Sequence, residues 1–155
     1  MTHFSAQNNP KVLSMQLTER KFASEVADTR EISMRDHTKL RAFELADELA
    51  VAIYRLTRDF PKDEIYGLTS QMRRAAVSVP SNIVEGAARE SESEYLRFLE
   101  VAFGSLRELH YQFNLSQRLG YVQKTLASSC EPLLVEAGKV LASLIRSLRS
   151  PRQSS

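Results

Sequence analysis

Five polar residues at helical spacing are the side chains of this sequence best placed for chemistry. They are Gln71, Arg74, Asn82 and Glu85 on one helix-like stretch and Glu108 on the next. Their spacing puts the first four on one side of an α-helix. Such a stripe can bind a ligand or a partner, because buried polar groups need hydrogen-bond partners. It can also pair within the protein and fix the register of two helices, and we favour that structural interpretation.

Three arginines near the C-terminus, Arg146, Arg149 and Arg152, have no acidic residue close to them in sequence. Positive charge suits the C-terminal end of a helix, and these side chains are also the candidates for contact with phosphate. The whole chain carries a formal charge of only +2, which is far from the strongly basic composition of a dedicated nucleic-acid binder. We therefore expect any binding of RNA or DNA to be weak and electrostatic.

The residue types needed for other chemistry are missing or isolated. Carboxylate-bridged metals in helix bundles need Glu-x-x-His pairs, and none of the three histidines is part of one. Cys130 is the only cysteine, which excludes an internal disulfide, and its apolar helix face predicts a core residue rather than a nucleophile. We predict no catalytic, cofactor or metal residues and a protein that is not an enzyme. The alternative is an enzyme or small-ligand-binding bundle with an unrecognised cofactor site.

Four stretches with apolar residues at three-to-four spacing must position these side chains. The first runs from 39 to 60 and ends at Pro61, and the second starts at 67–69 and passes through Pro80, where a kink is expected. The third begins at the capping box of Ser91 and Glu94 and closes near Gly120. The fourth runs from 126 to 148. Short connections predict an all-α, antiparallel up-and-down four-helix bundle.

The first helix carries two apolar stripes, which is more than packing against one neighbour needs. One stripe contains Phe43, Ala46, Ala50, Ile53, Thr57 and Phe60, and the other contains Leu45, Leu49, Ala52 and Leu56. An exposed apolar stripe of this size is typical of a protein interface. We therefore predict that the protein is a homo-oligomer and that Leu45, Leu49 and Leu56 form its contact face.

The ends of the chain lack the periodicity of its middle. We expect residues 1–33 to be a flexible extension, 34–149 to be the bundle and 150–155 to be a disordered tail. The first ten residues have neither a basic start nor an apolar core. No stretch approaches the 18 apolar residues of a membrane span. These features predict a cytoplasmic protein that does not enter a membrane.

Three segments resemble the four-helix bundle proteins of the 23S rRNA intervening-sequence family. They read YGLTSQMRRAAVSVPSNIVEGAAR at 66–89, EYLRFLEVAFGSLRELHYQ at 94–112 and LGY at 119–121. The resemblance covers about 34 to 148, and Gln71, Arg74, Asn82, Glu85 and Glu108 are among the matching positions. It implies a left-handed up-and-down bundle that assembles into a ring-like homopentamer.

The same resemblance implies kinship with the accessory protein of diversity-generating retroelements, whose basic pentamer binds nucleic acid and a reverse transcriptase. This chain departs from that relative in being only mildly basic and in having the 33-residue extension. The family has no established catalytic activity. The function we expect is a scaffold or adapter associated with RNA or with a nucleic-acid-processing protein.

Overall fold

The computed structural model describes residues 35–150, and these form four α-helices. The helices are α1 (Arg41–Leu56), α2 (Leu68–Ala87), α3 (Glu92–Arg118) and α4 (Lys124–Arg149). Single turns of 3₁₀-helix precede α1 at His37–Lys39 and connect it to α2 at Thr57–Asp59 and Lys62–Glu64. The described part of the chain contains no β-strand, so the prediction of an all-α four-helix fold is confirmed. The predicted extension 1–33 and Arg152 lie outside the described residues.

The ends of α3 follow the signals in the sequence. Ser91 is the N-cap, and its hydroxyl oxygen accepts a hydrogen bond of 3.2 Å from the backbone N–H of Glu94. At the other end Gly120 has a φ of +74°, a conformation that costs glycine little because it has no Cβ. This geometry lets the N–H of Tyr121 return to the carbonyl of Ser116 at 3.0 Å.

The prolines inside the helices do not divide them. Helix α2 is continuous from Leu68 to Ala87 although it contains Pro80, and α4 is continuous from Lys124 to Arg149 although it contains Pro132. Around Pro80 the helix is held by packing, because Val79 and Ile83 on its two sides are buried in the core.

Consecutive helices pack with their chains running in opposite directions, as the contacts between them show. Along α2 and α3, Ser78 contacts Ser105, and nearer the connecting turn Gly86 contacts Phe98. The residues that flank α1 show the same direction: the N–H of Arg35, before α1, reaches the carbonyl of Ala87 at the end of α2, whereas Arg73, in the first half of α2, reaches Thr57 just after α1. Helix α4 packs against both α3 and α1. Each helix therefore has two neighbours around one core.

The two apolar stripes of α1 both enter this core. Leu45, Leu49 and Leu56 are at most 2% exposed, so the prediction that they form an oligomer face is wrong. The physical reason is that α1 lies between α2 and α4, and a helix with two neighbours buries a wider apolar arc than one with a single neighbour. Ala52 lies at the edge of the arc and is only partly buried.

Helix α4 buries one stripe of residues and keeps a neighbouring stripe of leucines partly accessible. The fully buried positions are Ala127, Cys130, Leu134, Ala137, Leu141 and Ile145. The leucines at 126, 133, 144 and 148 are partly buried and pack against the core. Their spacing puts all four on one side of α4, and Leu126 and Leu133 line a groove between α4 and α1.

Candidate functional site

The predicted polar stripe lies on the outer side of α2 and α3, and each of its residues has a hydrogen-bond partner within the protein. Arg74 Nη2 donates to Glu108 Oε1 at 3.0 Å and to Gln71 Oε1 at 2.7 Å. Gln112 Nε2 donates to the same Glu108 oxygen at 3.0 Å. The side chains of Arg74 and Glu108 are 63% and 42% exposed, so theirs is a surface ion pair that stabilises the fold by less than about 1 kcal/mol.

The other members of the stripe form two further groups. The hydroxyl oxygens of Ser78 and Ser105 are 2.8 Å apart, and Asn82 Nδ2 donates to the Ser78 carbonyl at 2.7 Å. Glu85 accepts a 2.6 Å bond from Arg89, which lies just beyond the end of α2. All five predicted residues thus have partners within the protein, and two of the three groups connect α2 to α3. This arrangement favours a role in helix register over ligand binding.

The predicted arginines near the C-terminus have different surroundings. Arg149 Nη2 donates to Glu100 Oε1 of α3 at 2.6 Å, so its charge is matched locally. Arg146 lies one turn earlier on α4 and has no ion-pair partner within residues 35–150. Of the three arginines predicted to contact phosphate, Arg146 is therefore unmatched and Arg149 is neutralised by Glu100. Arg152 lies outside the described residues.

Arg146 lines a groove between α3 and α4, which we call the basic groove. Its basic side chains are Arg107 and His110 from α3 and Lys139 and Arg146 from α4. Its apolar lining includes Phe103, Leu106 and Ala142, and its volume is about 350 Å³. No acidic residue lines it.

The charges of the basic groove are not neutralised by the described part of the chain. Arg107 and Lys139, like Arg146, form no ion pair there. Lys139 and Arg146 are two helical turns apart, which separates their backbone positions by about 10 Å. Cations on both walls above an apolar floor suit a flexible polyanion whose phosphates contact the walls.

Sequence reasoning missed Arg107, His110 and Lys139 as members of one site. They come from two helices, and nothing in their spacing shows that those faces meet. The available signal was local: Arg107 and Arg146 have no acidic residue three or four positions away, so no neighbour on their own helix can neutralise them.

The described residues show no other chemical device. Residues 35–150 contain no group of three metal-ligating side chains and no helix with the length and apolar character of a membrane span. Cys130 is 2% exposed, and burial raises the pKa of its thiol, which lowers its reactivity at neutral pH.

Comparison with known proteins agrees with this all-helical architecture. A family model described as 23S rRNA-intervening sequence protein matches residues 38–143. A solved structure of a protein of unknown function from the S23 ribosomal protein family of Bacteroides thetaiotaomicron is similar in fold, with a TM-score of 0.61 and 23% identity. The similarity covers 68% of this chain and 98% of that one. No curated protein matches the sequence. The family match spans well over half of the chain, and the protein therefore belongs to the 23S rRNA-intervening sequence protein family.

Proposed function

We propose that this protein is a non-enzymatic, homo-oligomeric helical scaffold or adapter that associates with RNA in the cytoplasm through the basic groove. The observation that carries the proposal is the set of unmatched cations, Arg107, Lys139 and Arg146, around a groove with no acidic lining. RNA is the first nucleic acid to test, because the family description refers to 23S rRNA.

A groove of this kind binds phosphate without selecting a sequence. Contacts between cationic side chains and phosphates release counterions, so affinity falls steeply with salt. Because the whole chain carries little net charge, a single groove is expected to bind RNA weakly. A symmetric oligomer repeats the groove on every subunit and raises the overall affinity for a long RNA; the resemblance to the family suggests five copies.

Self-association needs a surface other than the one predicted on α1. Val77 and Val84 of α2 and Val101 of α3 are 37–48% exposed, and they belong to the helix pair joined by the polar stripe. We propose this face as the oligomer contact. A Val84→Glu substitution is expected to reduce the mass measured by light scattering, whereas Val135→Glu, a matched change at an exposed valine of α4, is expected to leave it unchanged. A monomeric parent protein at micromolar concentration contradicts the homo-oligomer.

The RNA proposal is tested by retention of labelled single-stranded RNA on a filter at about 50 mM salt, where electrostatic binding is strong. The groove variant carries Arg107→Ala, Lys139→Ala and Arg146→Ala. Its control carries Arg58→Ala, Lys62→Ala and Arg118→Ala, three exposed positions outside the groove with the same change in charge. We expect the groove variant to lose roughly tenfold or more in affinity and the control to lose much less.

Two results contradict RNA binding at this groove. If the parent protein retains no RNA under these conditions, direct nucleic-acid binding is wrong and a protein partner must be sought. If the groove variant and its control lose affinity equally, the protein binds RNA through overall charge and the basic groove is not the site.

A further inference from the structure

A second groove, between α1 and α4, differs from the basic groove in both charge and apolar content, and we infer that it docks a basic amphipathic helix of a partner protein. We call it the acidic groove. The inference is independent of RNA binding, because the two grooves share no lining residue.

The floor of the acidic groove is apolar and incompletely covered. Phe43 and Ala52 of α1 and Leu126 and Leu133 of α4 line it while remaining partly accessible. Val51 stands at its edge and is 47% exposed. The groove has a volume of about 670 Å³, nearly twice that of the basic groove. Exposed apolar surface lying between polar edges is typical of interaction sites.

The α1 edge of this groove carries unmatched negative charge. Asp47 and Glu48 line it and form no ion pair within residues 35–150. Glu44 is matched by Arg41 at 3.1 Å. Arg55, at the far end, is the only basic residue of the lining. The charge favours a partner with lysines or arginines and disfavours a nucleic acid, whose phosphates the carboxylates repel.

The length and walls of the groove suit a helix. Its α1 lining runs from Phe43 to Arg55, a rise of about 18 Å, or a little more than three helical turns. Two adjacent helices with an apolar strip between them accept a third helix whose apolar residues recur at i, i+3 or i+4 and i+7. The expected ligand is therefore a three-turn helix with such a stripe and with lysines or arginines beside it that face Asp47 and Glu48.

The test uses two fluorescein-labelled synthetic peptides of about four turns that form amphipathic helices, a length suited to a site of three turns. Both carry leucines at i, i+4, i+7 and i+11; one has lysines beside the stripe and the other has glutamates. Fluorescence polarisation measures their binding to the full-length protein. We expect the lysine peptide to bind roughly tenfold or more tightly than the glutamate peptide.

The variant Asp47→Lys with Glu48→Lys is expected to abolish this preference. The milder variant Asp47→Asn with Glu48→Gln is expected to reduce the preference for the lysine peptide. It replaces the first variant in the test if the reversed charges prevent folding. The control is Asp59→Lys with Glu90→Lys, which makes the same charge change at exposed positions outside the groove and is expected to bind like the parent.

Two outcomes overturn the inference. Equal binding of the lysine peptide by the groove variant and the control shows that the peptide binds elsewhere. A groove variant that dissociates an oligomeric parent in light scattering shows that a second copy of this chain occupies the groove. The first outcome does not bear on RNA retention. The second would place the oligomer contact at the acidic groove instead of on α2 and α3, but it would leave the lining of the basic groove unchanged, so the basic groove can still be tested separately.

Discussion

Gly86 of α2 and Phe98 of α3 approach so closely that a Cβ added to Gly86 would lie 2.8 Å from the Cβ of Phe98. Because that Phe98 atom is attached directly to the backbone, a rotamer change cannot move it away. Tyr95 closes the same space, with its Cδ2 at 3.2 Å from the added atom. The close packing of α2 and α3 near their connecting turn therefore depends on the absence of a side chain at 86.

A Gly86→Ala substitution is expected to destabilise the protein, although alanine is the better helix former. Overpacking costs about 1–3 kcal/mol and exceeds the propensity gain of at most about 1 kcal/mol. Gly104→Ala is the matched control, because an added Cβ there meets nothing within 4 Å; we expect it to stabilise by about 0.5–1 kcal/mol. Urea denaturation measures both values, and a stabilising Gly86→Ala contradicts the close approach.

The N-cap of α3 gives a second prediction. Ser91→Ala removes the acceptor for the Glu94 N–H and is expected to lower the free energy of unfolding by about 1 kcal/mol. Ser128→Ala, which removes an exposed hydroxyl inside α4, is expected to change it by less than about 0.5 kcal/mol. Equal effects of the two substitutions in urea denaturation would show that the cap contributes nothing specific.

The polar stripe is expected to contribute little through its ion pair. A double-mutant cycle with Arg74→Ala and Glu108→Gln should give a coupling energy below about 1 kcal/mol, because both side chains are well exposed. Asn82→Leu is expected to cost more, about 1–3 kcal/mol, because it removes the two hydrogen bonds that Asn82 donates to the half-buried Ser78, one to its carbonyl and one to its hydroxyl. If Asn82→Leu folds and assembles normally but loses RNA, the stripe binds a ligand.

The two described C-terminal arginines should differ in RNA retention. Arg146→Ala is expected to weaken binding more than Arg149→Ala, because Glu100 already neutralises Arg149 at 2.6 Å. In the parent protein, a Glu100→Ala substitution should strengthen RNA retention, because it frees the charge of Arg149. Equal losses for the two arginines would mean that the Arg149–Glu100 pair opens when RNA binds.

The buried thiol of Cys130 provides a test of packing. Because burial raises its pKa, less thiolate is present at pH 8 than for a free cysteine, and access is restricted as well. We expect Ellman's reagent to modify the folded protein roughly tenfold or more slowly than the urea-unfolded chain. Similar rates would indicate that the contact between α1 and α4 opens readily.

The sequence predicts the helices well because their signals are local. The capping box at Ser91, the glycine at 120 and the three-to-four spacing of apolar residues each act within one or two turns. The assignment of apolar faces is harder. The stripe of Leu45 and Leu49 has the same composition whether it faces a second protomer or α4 of its own chain, so only the packed structure decides.

The candidate site was only partly predictable for a related reason. Arg146 was identified, but whether a cation is free depends on residues far away in sequence. Arg149 and Glu100 are 49 positions apart, and no pattern in either helix indicates their pairing. Arg107 and Lys139 line one groove only because α3 and α4 pack side by side.

The packing of α1 against α4 has a consequence for synthesis on the ribosome. The last helix, which covers one flank of α1, is completed about 90 residues after α1 itself. At roughly 5–20 residues per second, the α1 flank stays uncovered for about 5–20 s. The nascent chain is therefore most exposed to aggregation or chaperone capture in that interval, and a chain stalled at the turn after α3 should recruit chaperones that the released protein does not.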